Sequence, residues 1–124
     1  MKPGLEAQLK NRFPELMVLS SDDYTICDCG TGWYSLIEGL CLQLEAIEDK
    51  PEDQHIISIR SKKGLLVPHI ASVTHTSFQA GLYVQTGSRV TCEMCGAESE
   101  IRQKHHPDSA EIYNRCDNCH AHHR

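Results

Sequence analysis

The sequence predicts an α+β fold, with N-terminal helices packed on a small antiparallel sheet and a C-terminal four-cysteine ribbon. Three observations carry this. A helical apolar stripe fills the first half, β-branched alternation takes over at His55, and two Cys-x-x-Cys pairs follow near the end. Helices first and strands after favour helices segregated to one face of an antiparallel sheet over repeated βαβ units. The chain divides accordingly into an α+β body over residues 1–88 and a ribbon over residues 89–124.

The elements follow in order. Pro3 suits the first turn of a helix, and Leu5, Leu9 and Phe13 continue at fourfold spacing. Pro14 ends or bends that helix around Phe13. Leu16-Met17-Val18-Leu19 is an apolar run too short for its period to assign. Residues 20–32, with Asp22, Asp23, Asp28, Gly30 and Gly32, read as a loop. The central amphipathic helix is predicted over 32–49, because Trp33, Leu36, Ile37, Leu40, Cys41, Leu44 and Ile47 fall on one face. Thr31 is its expected N-cap, and Pro51 stops the pattern. A β-hairpin is predicted over 55–70, turning at Ser61-Lys62-Lys63-Gly64. Gly81-Leu82-Tyr83-Val84-Gln85 reads as a third strand.

Charge is distributed unevenly. Residues 1–53 hold four Lys/Arg against eleven Asp/Glu, residues 54–88 hold three basic residues and no acidic one, and the whole chain carries −5. Such a balance implies a polarised surface, or simply a solvated acidic helix face. No apolar stretch of about eighteen residues occurs, so no membrane span is expected. Met1-Lys2-Pro3-Gly4 leads into no apolar run, so a signal peptide is not expected and the cytoplasm is the expected compartment. Seven cysteines in a reducing compartment point to metal or free thiols before disulfides.

Cys92, Cys95, Cys116 and Cys119 are the candidate ligands of one structural zinc ion. Twenty residues separate the two pairs, at the edge of the usual range for a four-cysteine site. Zinc takes four thiolates in a tetrahedron, and each tight turn supplies two. Gly96, directly after Cys95, can take positive φ and aim main-chain N–H groups at sulfur, whereas the second knuckle has His120 in that place. Four thiolates around Zn²⁺ leave a local charge of −2, which Arg89, Arg102, Lys104 and Arg115 are placed to offset. Iron in a rubredoxin-like site is the other metal such ligands suit. His120 or His122 replacing Cys119 would give a Cys₃His set, though four cysteines already complete the shell. The other histidines of the ribbon, His105, His106 and His123, read as polar tail residues.

The remaining thiols are Cys41, on the apolar face of the central helix, and the pair Cys27 and Cys29. The pair would need His55, His69 or His75 to make a second metal site. Catalysis finds no phosphate loop, nucleophile elbow or His-Glu-x-x-His motif. His69, Ser72, His75 and Ser77 share the acid-free middle without a pattern that joins them. No enzymatic activity is expected.

Gly30-Thr31-Gly32-Trp33-Tyr34-Ser35-Leu36-Ile37-Glu38-Gly39-Leu40-Cys41 resembles a Gly-Asp-Gly-Trp-Tyr segment of small phage- and prophage-encoded proteins. Those proteins also carry an aromatic-Pro pair early, as Phe13-Pro14 here. They have a Cys-Glu-x-Cys-Gly knuckle and a closing Cys-x-x-Cys-His, as at Cys92–Gly96 and Cys116–His120. Thr31 stands where the family has an acidic residue. The resemblance covers residues 13–41 and 92–120 and implies a phage origin and the zinc ligands, without naming an activity. The leading expectation is a protein-interaction module that docks a host or phage protein. The alternative is a nucleic-acid-binding zinc ribbon, with Arg60-Ser61-Lys62-Lys63 as its local basic stripe, which the acidic net charge disfavours.

Overall fold

Trp33, Ile37, Leu40, Cys41 and Leu44 recur on one helical face, and all five are fully buried in the computed structural model, which describes residues 1–98, 102–105 and 112–122. Burial of that stripe is what organises the fold. The helix α2 covers Tyr34–Glu45 and is entered through a 3₁₀ turn, Thr31–Trp33. It is shorter than the predicted 32–49. Thr31 does not cap it: the N-cap position is Trp33, with no side-chain cap bond. At the other end Ala46 closes the last turn onto Leu42, and Ile47 packs on the core from outside the helix.

The first helix, α1, covers Pro3–Arg12 and buries Leu9, with Phe13 immediately beyond it. It also buries a carboxylate. Glu6 accepts from the main-chain N–H groups of Ile26 at 3.2 Å and Cys27 at 2.7 Å, and from Ser20 Oγ at 2.5 Å. One acid thereby holds the ends of the 20–27 loop against α1, satisfying donors that burial would otherwise strand. Residues 14–19 run in turns, and the Leu16 carbonyl accepts from Ile56 N–H at 2.8 Å.

Three strands form the main sheet, in the order β1-β2-β3. The hairpin pairs β2, His55–Lys62, antiparallel with β3, Leu65–Ala71. Lys63 and Gly64 make the connection, both at positive φ (52° and 78°). That is the two-residue turn whose twist matches paired strands. The sheet is mixed, not purely antiparallel as the sequence suggested. A two-residue strand β1, Cys27–Asp28, lies parallel to β2 with Cys27 opposite Ile59, inside the stretch read as loop.

The expected third strand at residues 81–85 is helix. It belongs to α3, His75–Ser88, which packs on α2 and β3. Its start is fixed by a reciprocal cap, with Ser77 N–H donating to Thr74 Oγ1 at 3.1 Å and Thr74 N–H donating to Ser77 Oγ at 2.8 Å. Its buried face is small: Ser77, Ala80, Gly81, Val84 and Ser88. A methyl on Gly81 would meet Pro68 Cγ at 3.4 Å, an ordinary van der Waals contact, so this face of α3 has room for little more than small side chains. After residue 98 a second ladder pairs β4, Arg102–His105, antiparallel with β5, Ile112–Arg115, and α4, Asp117–His122, follows.

Candidate metal centre

Cys92 and Cys95 sit in a closed turn. Gly96 N–H donates back to the Cys92 carbonyl at 2.9 Å, and Cys92 N–H donates to the Ala97 carbonyl at 2.8 Å. Gly96 has φ +83°, the left-handed geometry that the first knuckle needs and that glycine adopts without strain. Cys116 and Cys119 come from the junction of β5 and α4, where Cys119 N–H donates to Cys116 Sγ at 3.5 Å. The fold brings the four Sγ atoms within 4.8 Å of one another.

Whether this set fits a metal is a matter of spacing. Sulfurs about 2.3 Å from a tetrahedral ion lie about 3.8 Å apart. Cys95 Sγ and Cys116 Sγ, from opposite knuckles, are 3.7 Å apart. The set therefore fits a tetrahedral ion, and these four cysteines can hold one.

The local electrostatics suit thiolate formation at one position and crowd another. Burial alone would raise the Cys92 thiol. Main-chain hydrogen bonds from Cys116, Cys95 and Met94 outweigh it and bring the thiol down to about 7. Burial and the neighbouring sulfurs push Cys119 up. Four close sulfurs cannot all ionise without a cation, which is the condition a bound metal relieves.

What seats the centre on the body is a residue that the cysteine pattern does not single out. Glu93, inside the first knuckle and only 7% exposed, makes four bonds to three different parts of the chain. Its carbonyl accepts from Gly32 N–H at 2.7 Å, and its N–H donates to the Asn114 carbonyl at 2.9 Å. Its carboxylate accepts from Gly30 N–H at 3.2 Å and Ser61 Oγ at 3.4 Å. Burial pushes this carboxyl up, partly offset by the Gly30 N–H and the Arg115 charge. Asn114, 1% exposed, donates through Nδ2 to the Ser88 carbonyl and so ties β5 to the end of α3.

The two glycines of the Gly30-Thr31-Gly32-Trp33 segment now have a physical reason. A Cβ on Gly30 would lie 2.1 Å from the Glu93 carbonyl oxygen, and one on Gly32 would lie 2.2 Å from that of Cys92. The knuckle rests directly on this backbone, and no side chain fits between. Beside it Trp33 Nε1 donates to the Thr91 carbonyl at 2.9 Å. A signal for this was present in the sequence. An acid between two thiolate ligands adds unwanted negative charge unless it is engaged elsewhere.

Other candidates are not assembled into a site. Cys27, Cys29 and Cys41 are buried, and burial pushes Cys27 up and carries Cys29 and Cys41 to about 12. Among the described residues they form no metal group with a histidine. His55 Nδ1 contacts the Asp53 carbonyl at 2.7 Å and His69 Nδ1 contacts Ser58 Oγ at 3.0 Å. Ser77 reciprocates the Thr74 cap of α3, and Ser72 lies in a turn at φ 57°. His120 and His122 fall in α4, next to the cluster in sequence, while His106 and His123 lie outside the described residues. No helix is long and apolar enough to cross a membrane among the described residues. Compared with protein-family models, curated proteins and solved structures, the chain matches none.

Proposed function

We propose that this chain is a zinc-binding, non-enzymatic protein-interaction module of the phage-accessory type, acting in the cytoplasm. The observation that carries the reading is the closed all-sulfur cluster. Four cysteine sulfurs lie within 4.8 Å of one another, and on one zinc ion they would fill a tetrahedral shell with no position for water or substrate, the arrangement of a structural rather than a catalytic site. Zinc is favoured over iron because a four-thiolate shell that serves folding alone is its characteristic site.

The surface supports binding as the output. On α3 the side chains of Phe78 and Tyr83 are 56% and 70% exposed, with Leu82 between them also exposed. Large apolar side chains gathered on one helix are the common mark of a protein-docking surface. The nucleic-acid alternative draws on Arg60, Lys62 and Lys63 near the hairpin turn. Arg60, however, is paired with Asp28 at 3.2 Å, and the net charge of −5 opposes phosphate binding.

Native mass spectrometry should find one zinc per chain. Capture from host lysate by the zinc-loaded chain should yield a protein partner, with a salt-dependent DNA shift as control. DNA binding that weakens steeply with salt and no protein partner would overturn the reading.

A further inference from the structure

Apolar residues stand on the outer side of both α2 and α3. Leu42 on α2 is 51% exposed, and Phe78, Leu82 and Tyr83 on α3 are exposed as well. The two helices run antiparallel. A Cβ on Gly87 would lie 3.1 Å from Leu36 Cδ2, while Ala46 and Thr76 line one groove at the opposite end of the pair. Leu42 is therefore level with Leu82. Side by side, helices of 12 and 14 residues present a face of about 400 Å². An apolar patch approaching that size marks an interaction site.

Charge borders this face on one side only. Over its 14 residues α3 has no Lys, Arg, Asp or Glu. Glu38 and Glu45 stand on the edge of α2 turned toward α1, where Glu38 pairs with Arg12 and Glu45 lines a groove with Arg12 and Phe13. On the α3 side, His75 opens the helix and Arg89 follows it, both exposed. The apolar face thus lies between an acidic edge and an acid-free one.

We propose that this face is the contact between two copies of the chain, related by a two-fold axis parallel to α2 and α3. Such an axis lays α2 of each copy antiparallel on α3 of the other and keeps every residue at its own level. Leu42 then rests on Leu82 and Phe78 of the partner copy, in both directions. Each acidic edge falls on an acid-free edge, with Glu45 beside His75 at the N-terminal turn of α3 and Glu38 near Arg89. A two-fold axis across the helices would set acid against acid. A second copy is the fitting occupant because one face supplies both halves of the match, and homodimer contacts are apolar and poor in charge. The proposal rests on the interaction-module reading above and names what the α3 surface binds.

Sedimentation equilibrium of the full zinc-loaded chain tests it. A contact at the small end of the interface range should give a monomer–dimer equilibrium with Kd on the order of 10–100 µM. Leu42→Glu and Leu82→Glu, both at exposed positions, should each weaken it at least about tenfold. Glu45→Lys should weaken it about threefold, and Glu45→Lys with His75→Glu in the same chain should restore it. Within one chain these two positions lie on opposite edges of the helix pair, so restoration reports contact between copies. A chain that stays monomeric at about 1 mM, a leucine variant that dimerises as well as wild type, or a double variant no better than Glu45→Lys overturns the contact. Capture of a lysate protein by a monomeric chain, lost in Leu82→Glu, overturns the dimer alone. A chain that neither dimerises nor captures any protein overturns the module reading beneath it.

Discussion

The indole Nε1 of Trp33 donates to the main-chain carbonyl of Thr91, 2.9 Å away and 58 residues on, and Trp33 is fully buried. The residue that opens the central helix is thus bonded to the residue that precedes the first cysteine ligand. Body and metal centre meet here through a buried polar contact.

Trp33→Phe keeps most of the apolar volume and removes the donor. The stranded Thr91 carbonyl should cost about 1–3 kcal/mol of stability. The variant should also surrender its metal to a chelator at a lower concentration than wild type. Urea denaturation and chelator competition read the two effects. Unchanged metal retention would mean that the indole does not help to seat the knuckle.

Gly32→Ala and Gly39→Ala form a matched pair. A Cβ on Gly32 meets the Cys92 carbonyl oxygen at 2.2 Å, whereas one on Gly39, inside α2, meets nothing within 4 Å. We expect Gly39→Ala to stabilise by about 0.5–1 kcal/mol. Gly32→Ala should destabilise by about 1–3 kcal/mol as the knuckle is pushed off. Equal effects of the two in thermal melts would show that the contact is not tight.

Removal of a ligand by Cys95→Ser should abolish metal binding and release protection from residues 91–98 and 112–119. Coordination contributes on the order of 10 kcal/mol to small structural zinc sites, and the ribbon has few apolar residues of its own. The Trp33 indole N–H should exchange faster too, while amides around Leu40 stay protected by the core. Hydrogen exchange followed by residue reads this. Loss of protection around Leu40 would make the metal integral to the whole core.

Glu6→Ala should cost about 3 kcal/mol, because Ile26 N–H, Cys27 N–H and Ser20 Oγ lose their shared acceptor together. Denaturant midpoints measure it. A change under about 0.5 kcal/mol, the size of a surface substitution, would mean that the loop is held by other contacts.

Alkaline pH should weaken the fold through the buried thiols. Cys29 and Cys41 ionise at about 12 when folded, against 9.0 for an ordinary thiol, and Cys27 is raised as well. Each holds its proton in the folded state after the unfolded chain has released it. Their contribution is therefore complete below about pH 9 and declines above it, by up to about 1.4 kcal/mol per pH unit for each thiol. In native protein at pH 8 all three should resist iodoacetamide, and all should react after denaturation. Rapid native alkylation would show that they are not sealed in the core.

The stripe from Trp33 to Leu44 was legible because a long period survives tertiary context, and the run at His55 because it is β-branched, although its alternation breaks where the ladder bulges at Ile57. Residues 81–85 misled for a physical reason. Phe78, Leu82 and Tyr83 stay exposed while the buried face of α3 has Val84 as its one large apolar residue among Ser, Ala and Gly, so apolarity does not mark the face that packs. Its cap uses Ser77 where glutamate or glutamine would have announced a helix. β1 is two residues long and exists only because Ile59 lies beside it. The cysteine spacing suggested the ligands, but the partners of Glu93 and Asn114 lie at Gly30, Gly32, Ser61 and Ser88, which no local pattern joins to them.

The long reach from Gly30 and Trp33 to Glu93 and Thr91 has a temporal side. A ribosome emits this chain from its amino end, so the two glycines and the indole emerge well before the groups they bond, and Asn114 later still. Until then the Gly30 and Gly32 N–H groups and the indole face solvent, and the pairing cannot begin. Contacts of such separation close slowly, because the loop must be ordered before they repay it. Assembly therefore ends where the knuckle meets Gly32, and an interrupted chain would betray itself by an exchangeable, wet indole.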